Sequence, residues 1–133
     1  MTTVLFVDDD PLVMRSMERM LRDEPYVVLT ANGSAEALAL METSHVDVII
    51  SDECMPGMSG SELLATVRAK YPSCIRMMLT GDSNLASSVR IIQEGALYRF
   101  LCKPLSRDEL THAIRQASER KDLEDRLQRL RAS

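Results

Sequence analysis

Short apolar runs alternate with longer amphipathic stretches along this chain, and the alternation predicts five strands and five helices. Val4-Leu5-Phe6-Val7 is the first apolar run, and Asp8-Asp9-Asp10-Pro11 follows it. An aspartate before a proline marks a helix start: the carboxylate accepts from the free N–H groups of the first turn, and proline gives up no bond there. Leu12, Val13, Met17, Met20 and Leu21 then recur at helical spacing. Tyr26-Val27-Val28-Leu29 reads as a second strand closed by Asn32-Gly33. Ser34 reads as the cap of a second helix, with Ala37, Leu38 and Met41 on its inner side. Val46–Ile50 is a third strand, and the loop Met55-Pro56-Gly57-Met58-Ser59-Gly60 breaks the chain after it. Ser59 and Glu62 stand at capping-box spacing and open a third helix to about Lys70. Ile75–Leu79 is a fourth strand, residues 84–94 a fourth helix closed by Gly95, and Ala96–Cys102 a fifth strand. A second capping box, Ser106 with Glu109, opens a last helix that continues to about Leu130.

Regular strand–helix alternation argues for an α/β fold, a parallel sheet covered by helices on both faces. The near-continuous apolar run Val46–Ile50 agrees, since strands of such sheets are buried on both sides. Met14, Met17, Met20 and Met41 fall near apolar helix faces and read as core. The last helix is twice as long as packing on one sheet requires. Leu110, Ala113, Ile114 and Ala117 form its sheet-facing stripe, whereas Leu123, Leu127 and Leu130 form a second stripe turned about 120° away. Spaced four and three, these leucines make a short coiled-coil-like seam. Asp122 with Arg126, and Asp125 with Arg129, stand four apart in the favourable order for ion pairs along it. The expected organisation is one domain over residues 1–118 and a helical extension, or linker to an output domain, over 119–133.

A chain of 133 residues suits a single domain, and 45% hydrophobic with 27% charged residues is a globular balance. The formal net charge of −4 lacks the basic excess of a nucleic-acid-binding domain, so no direct nucleic-acid partner is expected. No apolar run approaches the roughly 18–20 residues that span a bilayer. The start Met1-Thr2-Thr3-Val4 has neither basic region nor cleavable apolar stretch. A cytoplasmic protein with no membrane partner is the expectation. Three widely spaced cysteines, Cys54, Cys74 and Cys102, fit neither a zinc pattern nor a disulfide framework and read as reduced thiols. His45 and His112 are too few for a histidine metal site and read as surface residues.

In an open parallel sheet, ligands bind beyond the carboxyl ends of the strands. Asp8 and Asp9 end the first strand, Asp52 follows the third, Thr80 the fourth, and Lys103-Pro104 the fifth. An acidic cluster without histidine or thiolate ligands suits a hard cation such as Mg²⁺, which keeps open positions for water and phosphate oxygens. A lysine supplies a point charge beside it, a threonine a donor. A carboxylate can itself attack phosphorus to give an aspartyl phosphate. The residues therefore point to Mg²⁺-assisted phosphoryl transfer onto an aspartate.

Asp8-Asp9, Asp52-Glu53-Cys54-Met55-Pro56 with Gly60, Thr80-Gly81 and Lys103-Pro104, in that order and each at a strand end, resemble the receiver domain of two-component response regulators over about residues 3–118. The resemblance implies a doubly wound, flavodoxin-like sheet of order 2-1-3-4-5, as in CheY-like proteins. It implies that Asp52 is the phosphoacceptor, and that Asp9, Asp52 and the backbone carbonyl of Cys54 hold Mg²⁺, with Asp8 acting mainly through a metal-bound water. Lys103 would contact Asp52 and the phosphoryl group. Thr80 would turn inward to that group, and Phe100 matches the aromatic switch residue behind it, where tyrosine is common. The bond before Pro104 matches the family's cis peptide. Gly81 departs from the usual alanine, and Cys54 and Asp82 occupy the positions that flank the phosphoryl group. The implied function is a phosphorylation-dependent switch, not an enzyme in its own right, that receives its phosphoryl group from a sensor histidine kinase or phosphotransfer protein. A weak homodimer through the last helix, and an output domain beyond this chain, complete the expectation. Segment 98–104 looks like receivers attached to HD-type phosphohydrolases and other enzymatic outputs. Two other readings compete. A Mg²⁺-dependent phosphatase with an aspartyl-phosphate intermediate needs a second aspartate where Cys54 stands, and a flavodoxin-type module would meet three aspartates where its phosphate loop belongs.

Overall fold

A computed structural model describes residues 1–81 and 97–132. The expected helix over 84–94 with Gly95, the position of Asp82 and the strand start at Ala96 lie outside the described residues. Five strands, β1 (Thr2–Val7), β2 (Tyr26–Ala31), β3 (Val48–Asp52), β4 (Ile75–Thr80) and β5 (Arg99–Cys102), form one sheet. All neighbours pair in parallel, in the order β2-β1-β3-β4-β5. Four described helices accompany them: α1 (Pro11–Met20), α2 (Ser34–Thr43), α3 (Gly60–Lys70) and α4 (Arg107–Ala132).

Alternation along each strand divides the interior into two cores. Val4, Phe6, Val48, Ile50, Met77, Leu79 and Leu101 pack with Met14 and Met17 of α1 and with Leu110, Ala113, Ile114 and Ala117 of α4. Leu5, Val7, Ile49 and Met78 pack on the other face with Ala37 and Met41 of α2 and Leu63, Leu64 and Val67 of α3. All five residues of β3 are buried, as the central strand of a doubly wound sheet must be.

Local chemistry sets the helix starts. The Asp10 side chain accepts from the Leu12 N–H at 2.9 Å, with Pro11 in the first turn. Ser59 and Glu62 complete a reciprocal capping box on α3. At α4 the Glu109 N–H donates to Ser106 Oγ at 3.1 Å. Two expectations need correction. Gly33, not Ser34, is the α2 cap, and it has no side-chain bond. The Ser34 hydroxyl instead donates to the Met58 carbonyl at 3.1 Å, which ties α2 to the loop after β3. Leu12 has helical spacing but is exposed, because it lies on the first turn beyond the sheet.

That loop is also held by glycine. Gly57 has φ +78°, a conformation that side chains with a Cβ rarely adopt. At Gly60 an added Cβ would run into the Asp52 carbonyl oxygen and lie 2.9 Å from Glu53 Cα. The Gly60 N–H meanwhile donates to the Glu53 carbonyl at 3.0 Å. Helix α3 thus starts against the backbone of the strand end. At Gly81 a Cβ would meet only Lys103 Cδ at 3.9 Å, ordinary contact. We expect Gly60→Ala to lower the unfolding free energy by about 1–3 kcal/mol or more, as overpacking against backbone does, while Gly81→Ala stays within about 0.5 kcal/mol of the parent. Urea denaturation of both variants checks the contrast.

Candidate functional site

Parallel pairing decides which strand ends stand level. Val7 is in register with Ser51, Asp52 with Leu79, and Thr80 with Cys102. The ladders continue past the strands. The Asp8 N–H donates to the Ala31 carbonyl at 3.2 Å, Glu53 to Leu79 at 3.3 Å, and Lys103 to Thr80 at 2.9 Å. Asp8, Asp52 and Lys103 are therefore carried to one edge by main-chain bonds.

There, one carboxylate oxygen from each of Asp8, Asp9 and Asp52 lies within 4.8 Å of the others. Asp8 and Asp52 are buried, at 4% and 7% exposure, whereas Asp9 is exposed. Lys103 Nζ lies 3.0 Å from Asp52 Oδ1 and 3.6 Å from Asp8 Oδ2. The Asp10 N–H donates to Asp8 Oδ1 at 2.9 Å. Asp8 Oδ2 is buried and accepts no hydrogen bond.

These surroundings act on charge in opposite directions. Burial raises the Asp8 pKa above its ordinary value; the Asp10 N–H and Lys103 pull it back, while Asp52 and Asp9 push it further up. Burial opposes the charge on Lys103, but its bond to Asp52 and the negative charge of Asp52 and Asp8 outweigh that and raise its pKa. The Lys103 ammonium thus sits between two buried carboxylates, with a third beside them. The set has spare negative charge and an orphaned oxygen, so it fits a hard cation bound through oxygen.

Thr80 and Phe100 are half-buried, and Phe100 packs against the core on the α2–α3 face. The Lys103–Pro104 peptide is cis, as the resemblance implied. Cys54 is exposed on the loop after Asp52, and Cys102 is exposed just before Lys103. Cys74 is elsewhere, buried, and burial pushes its thiol up to about 12. His112 is exposed; His45 is exposed too but lies 2.9 Å from Asp47 Oδ1.

Two supporting contacts had no signal in the sequence pattern. Ser61 Oγ donates to Glu53 Oε2 at 2.6 Å, and Ser34 reaches Met58 across the loop. The closeness of Gly60 to Asp52 is legible only as a glycine at a helix start. At the far end of β5, the Tyr98 ring lies 5.6 Å from the Arg120 guanidinium of α4.

A model of the response regulator receiver domain matches residues 4–115. The chain is similar to the hydrogenase transcriptional regulatory protein HoxA of Cupriavidus necator, at 35% identity over 96% of this chain and 26% of that protein. The C4-dicarboxylate transport transcriptional regulatory protein DctD of Rhizobium meliloti is 32% identical over 91% of this chain and 26% of its own length. The chain thus spans about a quarter of the length of these relatives. Among solved structures, the signal receiver domain of an HD domain-containing protein from Pseudomonas fluorescens Pf-5 superposes with a TM-score of 0.86 at 36% identity, covering 91% of this chain and 97% of that one. The register that gathers Asp8, Asp9, Asp52 and Lys103 at one edge is found in a chain whose sequence and fold agree with one family, and the chain belongs to the response regulator receiver domains.

Proposed function

We propose that this domain is a phosphorylation-dependent switch whose acceptor is Asp52. The observation that supports it best is Lys103 Nζ, 3.0 Å from Asp52 Oδ1 in a site that already holds two more carboxylates. A carboxylate oxygen of Asp52 attacks the phosphorus of a phosphohistidine on a sensor kinase or phosphotransfer protein. The new O–P bond forms as the P–N bond breaks, and the imidazole leaves with its electron pair and takes up a proton. Lys103 offsets the charge on the transferred group, and the Thr80 hydroxyl donates to one of its oxygens. Phe100 rearranges behind Thr80, so that the output is a conformation.

Asp9, Asp52 and the Cys54 carbonyl would hold Mg²⁺, with Asp8 acting through water, and the ion would neutralise charge as the phosphoryl group arrives. Asp8 Oδ2, buried without a hydrogen bond, supports this assignment. A phosphatase would need an acid where the exposed thiol of Cys54 stands. The composition and the relatives fit a cytoplasmic regulator whose residues 1–118 form the receiver and whose residues 119–133 lead to an output domain. Leu123 and Leu127, exposed on α4, fit a weak homodimer strengthened by phosphorylation.

Three outcomes are expected. Acetyl phosphate modifies the protein once, only with Mg²⁺, and Asp52→Asn abolishes it; intact mass spectrometry reads this, and full modification of the variant excludes Asp52.

Millimolar Mg²⁺ raises stability by about 1–3 kcal/mol when well above its dissociation constant, and a melting curve indifferent to the ion counts against the site.

The third concerns pH. Asp8 has its pKa raised in the fold, so the stability that its neutral form contributes is present below the ordinary 3.8 and is lost as pH rises through the shifted value. In metal-free buffer at neutral pH the ionised side chain is a liability. Asp8→Asn should therefore raise Tm there, and the gain should shrink towards acid pH; calorimetry across that range measures it.

A further inference from the structure

Helix α3 begins against the end of β3, and Glu53 is the joint between them. Its N–H donates to the Leu79 carbonyl at 3.3 Å, which keeps it on the sheet. Its carbonyl accepts from the Gly60 N–H at 3.0 Å, and its carboxylate oxygen Oε2 accepts from Ser61 Oγ at 2.6 Å. Residues 54–59 thus form a loop whose two ends close on one residue. Among the described residues, the carboxylates that gather at the sheet edge are those of Asp8, Asp9 and Asp52. The Glu53 carboxylate is turned to Ser61 instead.

A plainer reading is that Glu53 serves the helix. A carboxylate beside the first turn complements the helix dipole, and Ser61 is in that turn. Helix α3 already has its cap, however. Ser59 Oγ accepts from the Glu62 N–H at 3.2 Å, and the Ser59 N–H donates to Glu62 Oε1 at 3.4 Å. Glu62 also places a carboxylate in the first turn. The bond from Ser61 to Glu53 spans the loop, between residues eight apart. What it fixes is the backbone that follows Asp52. The far part of the loop is held separately, by the Ser34 hydroxyl on the Met58 carbonyl. Cys54 adjoins the fastened base and is exposed. An exposed side chain makes few packing contacts, so the Cys54 peptide depends on its neighbours for its direction.

We propose that Glu53 and Ser61 are a positioning pair for the metal site. Their bond fixes the direction of the Cys54 carbonyl and so raises the affinity of the sheet edge for Mg²⁺. The proposal rests on the assignment of that carbonyl as a metal ligand under the proposed function. Mg²⁺ demands near-octahedral geometry at short distances, so a carbonyl free to wander is a poor ligand for it. With the pair in place, the loop is ordered when the domain folds. Without it, part of that ordering waits until the ion binds, and the dissociation constant rises.

Titration of the full chain with Mg²⁺ alone, followed by amide NMR shifts at the sheet edge, tests the pair. Ser61→Ala should weaken binding roughly threefold to tenfold, at the low end of what outer partners of metal ligands contribute. Glu53→Ala should do the same, and the double variant should lose little more than either, since both remove one bond. Ser61→Thr keeps the hydroxyl and should bind like the parent. Glu53→Gln keeps an acceptor without the charge and should stay closer to the parent than Glu53→Ala. Ser59→Ala removes the helix cap and spares the pair; it should lower Tm and leave Mg²⁺ affinity unchanged. Parent-like binding by Ser61→Ala overturns the proposal. So does equal weakening by Ser59→Ala, which makes the effect one of helix stability, or by Glu53→Gln, which makes it one of charge. A parent without any Mg²⁺ response overturns the metal assignment itself, and the role of the pair with it.

Discussion

Among the described residues, three carboxylates at one sheet edge share a single ammonium, and the rest of the structure bears on that imbalance. Removing charge from water is costly, and two of the three carboxylates are buried. Lys103 offsets part of the cost through Asp52 at 3.0 Å and Asp8 at 3.6 Å. The remainder leaves Asp8 with a raised pKa and an oxygen without a hydrogen bond. A site of this kind is poorly balanced alone and becomes balanced when positive charge arrives. Such an arrangement suits a switch, because the groups that lower the stability of the empty domain favour the bound one.

The scaffold holds this imbalance with main-chain bonds. Parallel ladders run one residue past the strand ends at Asp8, Glu53 and Lys103, so the side chains have little freedom to move apart. The loop after Asp52 is fastened at Gly60 by close backbone contact, at Ser61 by Glu53, and at Met58 by Ser34. Each fastening uses a small residue, which lets α2 and α3 approach the strand end closely.

At the opposite end of β5 the same sheet directs α4 outwards. Thr2 Oγ1 and Ser118 Oγ are 2.6 Å apart, Arg99 donates to Gln116 at 3.0 Å, and Arg120 lies over Tyr98. Tyr98 and Phe100 are two residues apart, so the segment that holds the exit helix adjoins the proposed switch residue.

Much of this was legible in the sequence because it is local. Strand alternation, the Asp10-Pro11 cap, the Ser59–Glu62 capping box and the Ser106 cap depend on neighbours a few residues apart. That Asp8, Asp9, Asp52 and Lys103 would meet was legible because a parallel sheet puts every strand's carboxyl end on one edge. Long-range packing decided the rest. Ser34 left its cap for Met58, twenty-four residues on, and Leu12 was left outside the core despite helical spacing. Asp125 paired with Lys121 in place of Arg129, because Lys121 is buried at the end of the domain and needs a partner there. The distances that set the charge balance, 3.0 and 3.6 Å at Lys103, follow from strand register. Register is a relation between segments far apart in the chain, so periodicity along one segment cannot determine it.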